Sequence, residues 1–309
     1  YMDKLSVIVP CYNEEKAILL FYKEFCKIYS CMKDVEFQVI FIDDGSSDNT
    51  LNEIKKIADG DECCSYISFS RNFGKEAALY AGLNKASGNY IAMMDVDLQD
   101  PPILLQEMFY FIKVKRYDTV VARRVNRKGE PIIRSCFARQ FYKIIRRMSK
   151  NNIVDGARDF RMITRQVAEA VLSMNEFNRF SKEMFSWVGF KTKWIEYENK
   201  NRIIGESKWS FIKLFTYAIN GIMSFSTIPL SIATIAGSLF IVVSMIMICI
   251  FSIKILFFSQ KVGELSLLIL AMFFIGGIQL FCTGIVGQYL AKVYVETKKR
   301  PIYILKEEV

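Results

Sequence analysis

From Leu5 to about Arg123 the chain alternates short apolar runs with longer stretches in which apolar residues recur at helical spacing. LSVIVP (Leu5 to Pro10) is a brief apolar run of the kind that forms a buried strand. After it, Ala17, Phe21, Phe25, Ile28 and Met32 line one helical face, which predicts a helix from about Glu14 to Met32. VEFQVIFI (Val35 to Ile42) is the next strand, stopped by DDGSSDNT, a cluster of turn formers and helix caps, and a helix to about Ala58 follows. SYISFS, NFGKEAALYAGLNKAS and YIAMMD (Tyr90 to Asp95) predict strand, helix and buried strand. DLQDPP breaks the chain and starts a helix with prolines in its first turn, and DTVVAR closes the series as a strand.

This alternation predicts an α/β fold with a mostly parallel sheet covered on both faces. Ligands in such folds collect beyond the carboxyl ends of strands. The polar residues there are Pro10 to Glu14, Asp43 to Asp48, Asp95 to Gln99, and Arg123 with Arg124. They run from acidic to basic, an order that suits a metal–diphosphate site beside an anion acceptor.

The last third has a different pattern. Pro229 to Ile253 and Leu265 to Ala291 contain no charged residue, and each exceeds the roughly 20 residues that cross a bilayer. They predict a transmembrane hairpin with a short linker, Lys254 to Glu264. Lys208 and Lys213 precede the first span, and Lys292, Lys298, Lys299 and Arg300 follow the second, so both termini and the large domain are expected on the cytoplasmic side of the plasma membrane. Trp209 to Phe225 mixes aromatic and aliphatic residues, and Asn220, Gly221 and Pro229 would interrupt one continuous span; it reads as an interfacial helix. The expected division is therefore 1–208 catalytic, 209–228 interfacial, and 229–309 transmembrane hairpin (about 229–253 and 265–291) with a short cytoplasmic tail.

Composition narrows the chemistry. The formal net charge of +9 suits nucleic acid, an anionic membrane or a phosphorylated substrate. No zinc-finger spacing or aromatic-rich nucleic-acid motif is present, so no nucleic-acid partner is expected. None of the 8 cysteines forms a CxxC pair, and there are 0 histidines, so a zinc site is not expected. Acid–base work falls to carboxylates, lysines or tyrosines. Arg123 to Lys150 is strongly basic, with Glu130 the lone acid and an apolar stripe through Phe137, Phe141 and Ile145; that pattern suits an anionic membrane surface.

MDVDLQDPP concentrates the candidate chemistry. Asp95 and Asp97, one residue apart just past a buried strand, can reach one hard cation while the sheet fixes their position. Mg2+ or Mn2+ held there would neutralise a diphosphate leaving group, with Gln99 as a neutral oxygen ligand. In SRNFGKEAAL, Arg71 and Lys75 lie near a strand end, and Gly74 opens a helix whose N-terminus is suited to a phosphate. In RIIGESK, Arg202 and Lys208 flank a glycine turn and are suited to a lipid phosphate.

VIVPCYNEE, IDDGSSDNT, SRNFGKEAAL, MDVDLQDPP, DFRM and RIIGESK occur in that order. Together they resemble glycosyltransferase family 2, in particular its polyprenyl-phosphate glycosyltransferase branch of bactoprenol glucosyltransferases and dolichol-phosphate mannose synthases, over nearly the whole chain. The resemblance implies a GT-A fold, a nucleotide-sugar donor, a polyprenyl-phosphate acceptor, inversion at the anomeric carbon and a homo-oligomer. It implies that Pro10, Tyr12 and Glu14 line base and ribose, that Asp44 hydrogen-bonds the base with Asp43 shaping the turn, and that Asp95, Asp97 and Gln99 hold metal and diphosphate. It also implies an acceptor-facing Asp159, either a base or a carboxylate that orients the acceptor, with Arg124 and Arg134 on the lipid phosphate. The alternative for Asp159 is a structural partner of Arg158 or Arg161. The expected reaction moves one glucose from UDP-glucose to undecaprenyl phosphate; mannose, N-acetylglucosamine, galactose and aminoarabinose are the alternative sugars. A processive polysaccharide synthase would carry a QxxRW motif and more spans, and neither occurs. A non-catalytic membrane adaptor would not need the intact acidic motifs.

Overall fold

The computed structural model describes residues 2–124, 157–174, 176–197, 246 and 264–309. Arg134, Arg202, Lys208, the basic segment beyond 124, the interfacial segment and, apart from Ile246, the first expected span lie outside these residues. The chain forms two compact units, Tyr1–Ser210 with Arg300–Val309, and Phe211–Lys299.

The first unit begins as the apolar pattern predicts: β1 (Asp3–Cys11), α1 (Glu15–Cys31), β2 (Val35–Asp43), α2 (Thr50–Gly60), β3 (Cys64–Phe69), α3 (Lys75–Lys85) and β4 (Tyr90–Met93). The face of α1 carrying Ala17, Phe21, Phe25 and Ile28 is buried, because those positions recur once per turn. Pro101 and Pro102 stand just ahead of α4 (Leu104–Lys113) rather than inside it. Their carbonyls accept the Leu104 and Leu105 N–H groups, at 3.1 and 3.0 Å, in a tight turn that leads into the helix. Strand β5 (Thr119–Arg124) does not close the series. It is followed by β6 (Ala157–Thr164), α5 (Arg165–Leu172), α6 (Ser181–Trp187), β7 (Thr192–Tyr197) and, at the end of the chain, β8 (Leu305–Glu308).

The strands form one sheet in the order β7-β5-β6-β4-β1-β2-β3-β8. The pairs β1–β2, β1–β4, β2–β3 and β5–β7 are parallel. Strand β6 is inserted antiparallel between β4 and β5, and β8 is antiparallel to β3 at the edge. The mostly parallel α/β prediction is therefore met. Alternate residues feed two cores. One core packs Leu5, Val7, Phe41, Ala92 and Phe160 with α1, α2 and α4. The other packs Ile8, Ile42, Ile91, Met93 and Ile163 with α3, α5 and α6. Helix α3 lies so close to the sheet that a Cβ on Gly82 would stand 2.3 Å from Ile8 Cγ2.

In the second unit, α7 (Glu264–Thr297) is a helix of 34 residues. Its Leu268, Met272, Ile275, Phe281 and Leu290 are exposed, while the side chains of Leu267, Ile269 and Phe273, among others, lie outside the described residues. Among the described residues no helix is long and apolar enough to cross a membrane.

Candidate active site

The loops after β1 and β2 are stitched together at the carboxyl edge of the sheet. Asn13 adopts a left-handed conformation (φ 53°), which asparagine tolerates better than most residues. Its N–H donates to Ser46 Oγ at 3.0 Å, and its Oδ1 accepts the Ser47 N–H at 2.9 Å. The Glu14 N–H donates to Thr50 Oγ1 at 2.8 Å. Pro10 and Glu14 are half-buried beside this seam, and Tyr12 is exposed.

Asp43 and Asp44 are both buried. Asp43 accepts the Ser46 N–H at 3.1 Å and the Ser68 hydroxyl at 2.9 Å, which ties the turn to β3. Asp44 accepts the Phe73 N–H at 2.7 Å and the Gly74 N–H at 3.1 and 3.0 Å. The end of α3 that the sequence suggested for a phosphate is thus met by the protein's own carboxylate, because β2 ends directly beneath it. Burial pushes Asp44 up to about 6, against the two N–H groups that pull it down, with Asp43 adding to the rise. Gly45 (φ 66°) lets the turn pass under the Ser70–Gly74 loop, where a Cβ would stand 2.3 Å from the Arg71 carbonyl carbon.

Asp95 and Asp97 follow β4. Leu98 is buried in a left-handed conformation (φ 54°), and the Gln99 N–H returns to Asp97 Oδ1 at 3.1 Å. Gln99 Oε1 accepts from Arg158 Nη2 at 2.7 Å, and Arg158 Nε donates to Asp100 Oδ1 at 3.1 Å. The Tyr197 hydroxyl donates to the same Asp100 oxygen. Burial raises Asp100, with Arg158 and Tyr197 opposing. The acidic turn is thereby tied to β6 and β7.

Asp159 lies near the start of β6. The antiparallel setting of that strand brings its start to the edge where the parallel strands end. Its partners are Lys75, at 2.6 Å, and Lys182, at 3.7 Å. Lys75 is also 2.6 Å from Asp95 Oδ1. Of the arginines weighed as partners, Arg158 turns to Asp100 and Gln99, while buried Arg161 stacks on Phe185 at 4.4 Å. Burial pushes Asp159 up, but Lys75, then Lys182, outweigh it and hold the carboxyl far below the usual carboxylate range. Lys75 is moved the opposite way: burial lowers it, and Asp159 and Asp95 together raise it well above an ordinary lysine. An Asp159 so held is a weak proton acceptor and a strong electrostatic anchor.

The structure thus brings Asp95, Lys75 and Asp159 together beside the Asp43–Asp44 turn. The backbone of Arg124 ends β5, and Arg123 pairs with Glu196 at 3.2 Å. Sequence reasoning missed Lys182, Asp100 and Tyr197, and it left Lys75 without a defined partner. Among the described residues no group of three His, Cys, Asp or Glu side chains is arranged to hold a metal ion. The all-oxygen pair Asp95 and Asp97 nevertheless fits Mg2+ or Mn2+, which bind through one or two carboxylates and complete their shell with substrate phosphates and water. The Lys75 ammonium on Asp95 marks a position that accepts positive charge.

In a mostly parallel α/β sheet, ligands bind beyond the carboxyl ends of the strands, where these paired acids stand. Residues 6–172 match the Glycosyl transferase family 2 profile, and the chain belongs to that family. It is 39% identical over 303 residues to the "Prophage bactoprenol glucosyl transferase homolog" of Escherichia coli (strain K12), covering 98% of each chain. It is 38% identical over 305 residues to the "Bactoprenol glucosyl transferase" of Shigella phage SfV, covering 99% of each. A solved glucosyl-3-phosphoglycerate synthase from Mycobacterium tuberculosis, with Mn2+, UDP-glucose and phosphoglyceric acid, aligns with TM-score 0.45 and 18% identity over 72% of this chain and 78% of that one. That likeness is too distant to assign anything.

Proposed function

We propose that this protein transfers one glucose from UDP-glucose to the phosphate of a polyprenyl lipid, undecaprenyl phosphate, at the cytoplasmic face of the membrane and with inversion. The observation that carries the reading is the juxtaposition of Asp95, which follows β4, with Asp159 on β6 through Lys75. On this reading Asp95 is a donor-side carboxylate and Asp159 an acceptor-side one. The names and full-length similarity of the bactoprenol glucosyl transferases support the choice of sugar and lipid.

Asp95 and Asp97 would hold Mg2+ or Mn2+, with Gln99 nearby under the hold of Arg158. Once bound, such a cation supplies neutralisation of the departing diphosphate. Tyr12, Pro10 and Glu14 would line base and ribose on the seam they share with the Asp43–Asp44 turn. Asp44 would reach the base only through lone pairs not already spent on α3. A lipid phosphate is largely ionised near neutral pH, so no general base is required. Asp159, kept ionised by Lys75 and Lys182, would orient the acceptor rather than remove a proton. Arg124, Arg134, Arg202 and Lys208 would complete the phosphate pocket.

We read the last third as the hairpin. The exposed apolar side chains of α7 support it, as does the uncharged stretch from Leu265 to Ala291. So does β8: it belongs to the same sheet as β1, so a chain that crosses a membrane between β7 and β8 must cross it an even number of times.

The test supplies purified full-length protein with UDP-glucose, Mg2+ and undecaprenyl phosphate. UDP release together with a glucosylated lipid is expected. Absence of transfer from every common nucleotide sugar would overturn the reading. Asp97→Ala should abolish turnover while leaving the far-UV circular dichroism unchanged; near-normal turnover would remove the metal role.

A further inference from the structure

Lys75 is the first residue of α3. A cation is electrostatically misplaced there, because the start of a helix already carries partial positive charge. Its neighbours account for it. The register of β4 and β6 ends with Met93 opposite Arg161, and continuing it two residues past the end of β4 would put Asp95 across from Asp159. Like charges directly opposite on neighbouring strands repel. Both positions share the parity of Met93 and Ile163, which pack on the α3 face, so a side chain from the start of α3 can reach between them. Lys75 does so, at 2.6 Å from each carboxylate.

The two contacts differ in what supports them. Asp159 has a second cation, Lys182, at 3.7 Å. Among the described residues the ion pair of Asp95 is with Lys75. The side chains remain partly open to solvent, 40% for Lys75, 30% for Asp95 and 27% for Asp159, and solvent screening weakens ion pairs with that much water access.

Resting on the reading of Asp95 and Asp97 as the metal and diphosphate carboxylates, we propose that Lys75 is a positioning residue that keeps the place of the divalent cation. In the nucleotide-free protein its ammonium bridges Asp95 and Asp159 and competes with a metal ion for Asp95. With Asp95 engaged by a divalent cation, Lys75 would keep Asp159 as its partner, and the charge balance on the acceptor side would change with loading of the donor side. No covalent step is involved.

The test titrates detergent-solubilised full-length protein with Mn2+ alone, without nucleotide, and follows free Mn2+ by electron paramagnetic resonance. Lys75→Met is expected to bind Mn2+ about fivefold tighter than wild type, the effect of removing one partly screened competing charge. Lys75→Arg, which keeps the charge, is expected to stay near wild type. Thermal melts establish that each variant is folded, and Lys75→Gln replaces Lys75→Met if the latter does not fold. Equal or weaker Mn2+ binding by the neutral variants overturns the proposal, as does tighter binding by Lys75→Arg to the same extent as Lys75→Met. If neither wild type nor the neutral variants bind Mn2+, it is also overturned. Glucolipid formation by the wild type then decides separately whether the transferase reading stands.

Discussion

Asp44 offers a direct test of how the donor edge is built. The residue is only 4% exposed, yet its carboxylate ends at the N–H groups of Phe73 and Gly74, and burial lifts it from 3.8 to about 6. A folded-state value above the unfolded one means that the fold prefers the protonated acid. Its contribution is fully present below about pH 3.8 and is lost as pH rises through about 6. At about 1.4 kcal/mol per pH unit, the ionised carboxylate costs about 3 kcal/mol at neutral pH. Asp44→Asn keeps an oxygen for the two N–H groups and cannot ionise. The stability of the variant relative to wild type should therefore grow by about 1.4 kcal/mol between about pH 5 and pH 8. For a domain of this size that widens the difference in Tm by about 3–6 °C. Paired thermal melts of the two full-length proteins at both pH values measure it. A difference that is independent of pH, or that narrows as pH rises, would refute the reasoning. Donor binding should weaken in the same variant if Asp44 also contacts the base, which makes the buried charge a stability cost retained for function.

Two further outcomes follow from close contacts. Gly45→Ala forces a Cβ to 2.3 Å from the Arg71 carbonyl carbon at a positive φ; left-handed strain and overpacking together predict a loss of about 2–4 kcal/mol, read by urea unfolding, with weaker UDP-glucose binding as the Ser70–Gly74 loop shifts. Asp100→Ala removes the shared partner of Arg158 and Tyr197; a loss of about 3 kcal/mol is expected, at the low end for a broken buried pair because Arg158 is 26% exposed, and turnover should fall with it as Gln99 loses its restrained arginine.

The parallel half of the sheet was legible because each strand there is a short apolar run and each helix has a recurring apolar face. The Asp43–Asp44 and Asp95–Asp97 turns were legible for the same reason: they sit where those runs stop. Strand β6 was not, since Arg158, Asp159 and Arg161 break up its apolar residues and its partners β4 and β5 come far earlier in the chain. Strand β8 reads LKEE, a polar tail by composition, and only the open edge of β3 makes it a strand. The contacts of Lys75 were hidden because one of them joins residues 84 positions apart. Asp100 looked like one more acid in an acidic turn; its burial depends on Arg158 and Tyr197, which arrive from two later strands.

The last nine residues bear on how the transfer domain can be isolated. Lys55 meets Glu307 and Lys85 meets Glu308, Tyr303 stacks on Phe69, and the Val309 N–H reaches the Tyr66 carbonyl at 3.1 Å. A gene stopped ahead of the greasy segments would yield a domain lacking its outermost strand, with the β3 backbone left bare and prone to pair with other chains. A water-soluble version would need Arg300–Val309 spliced back through a linker.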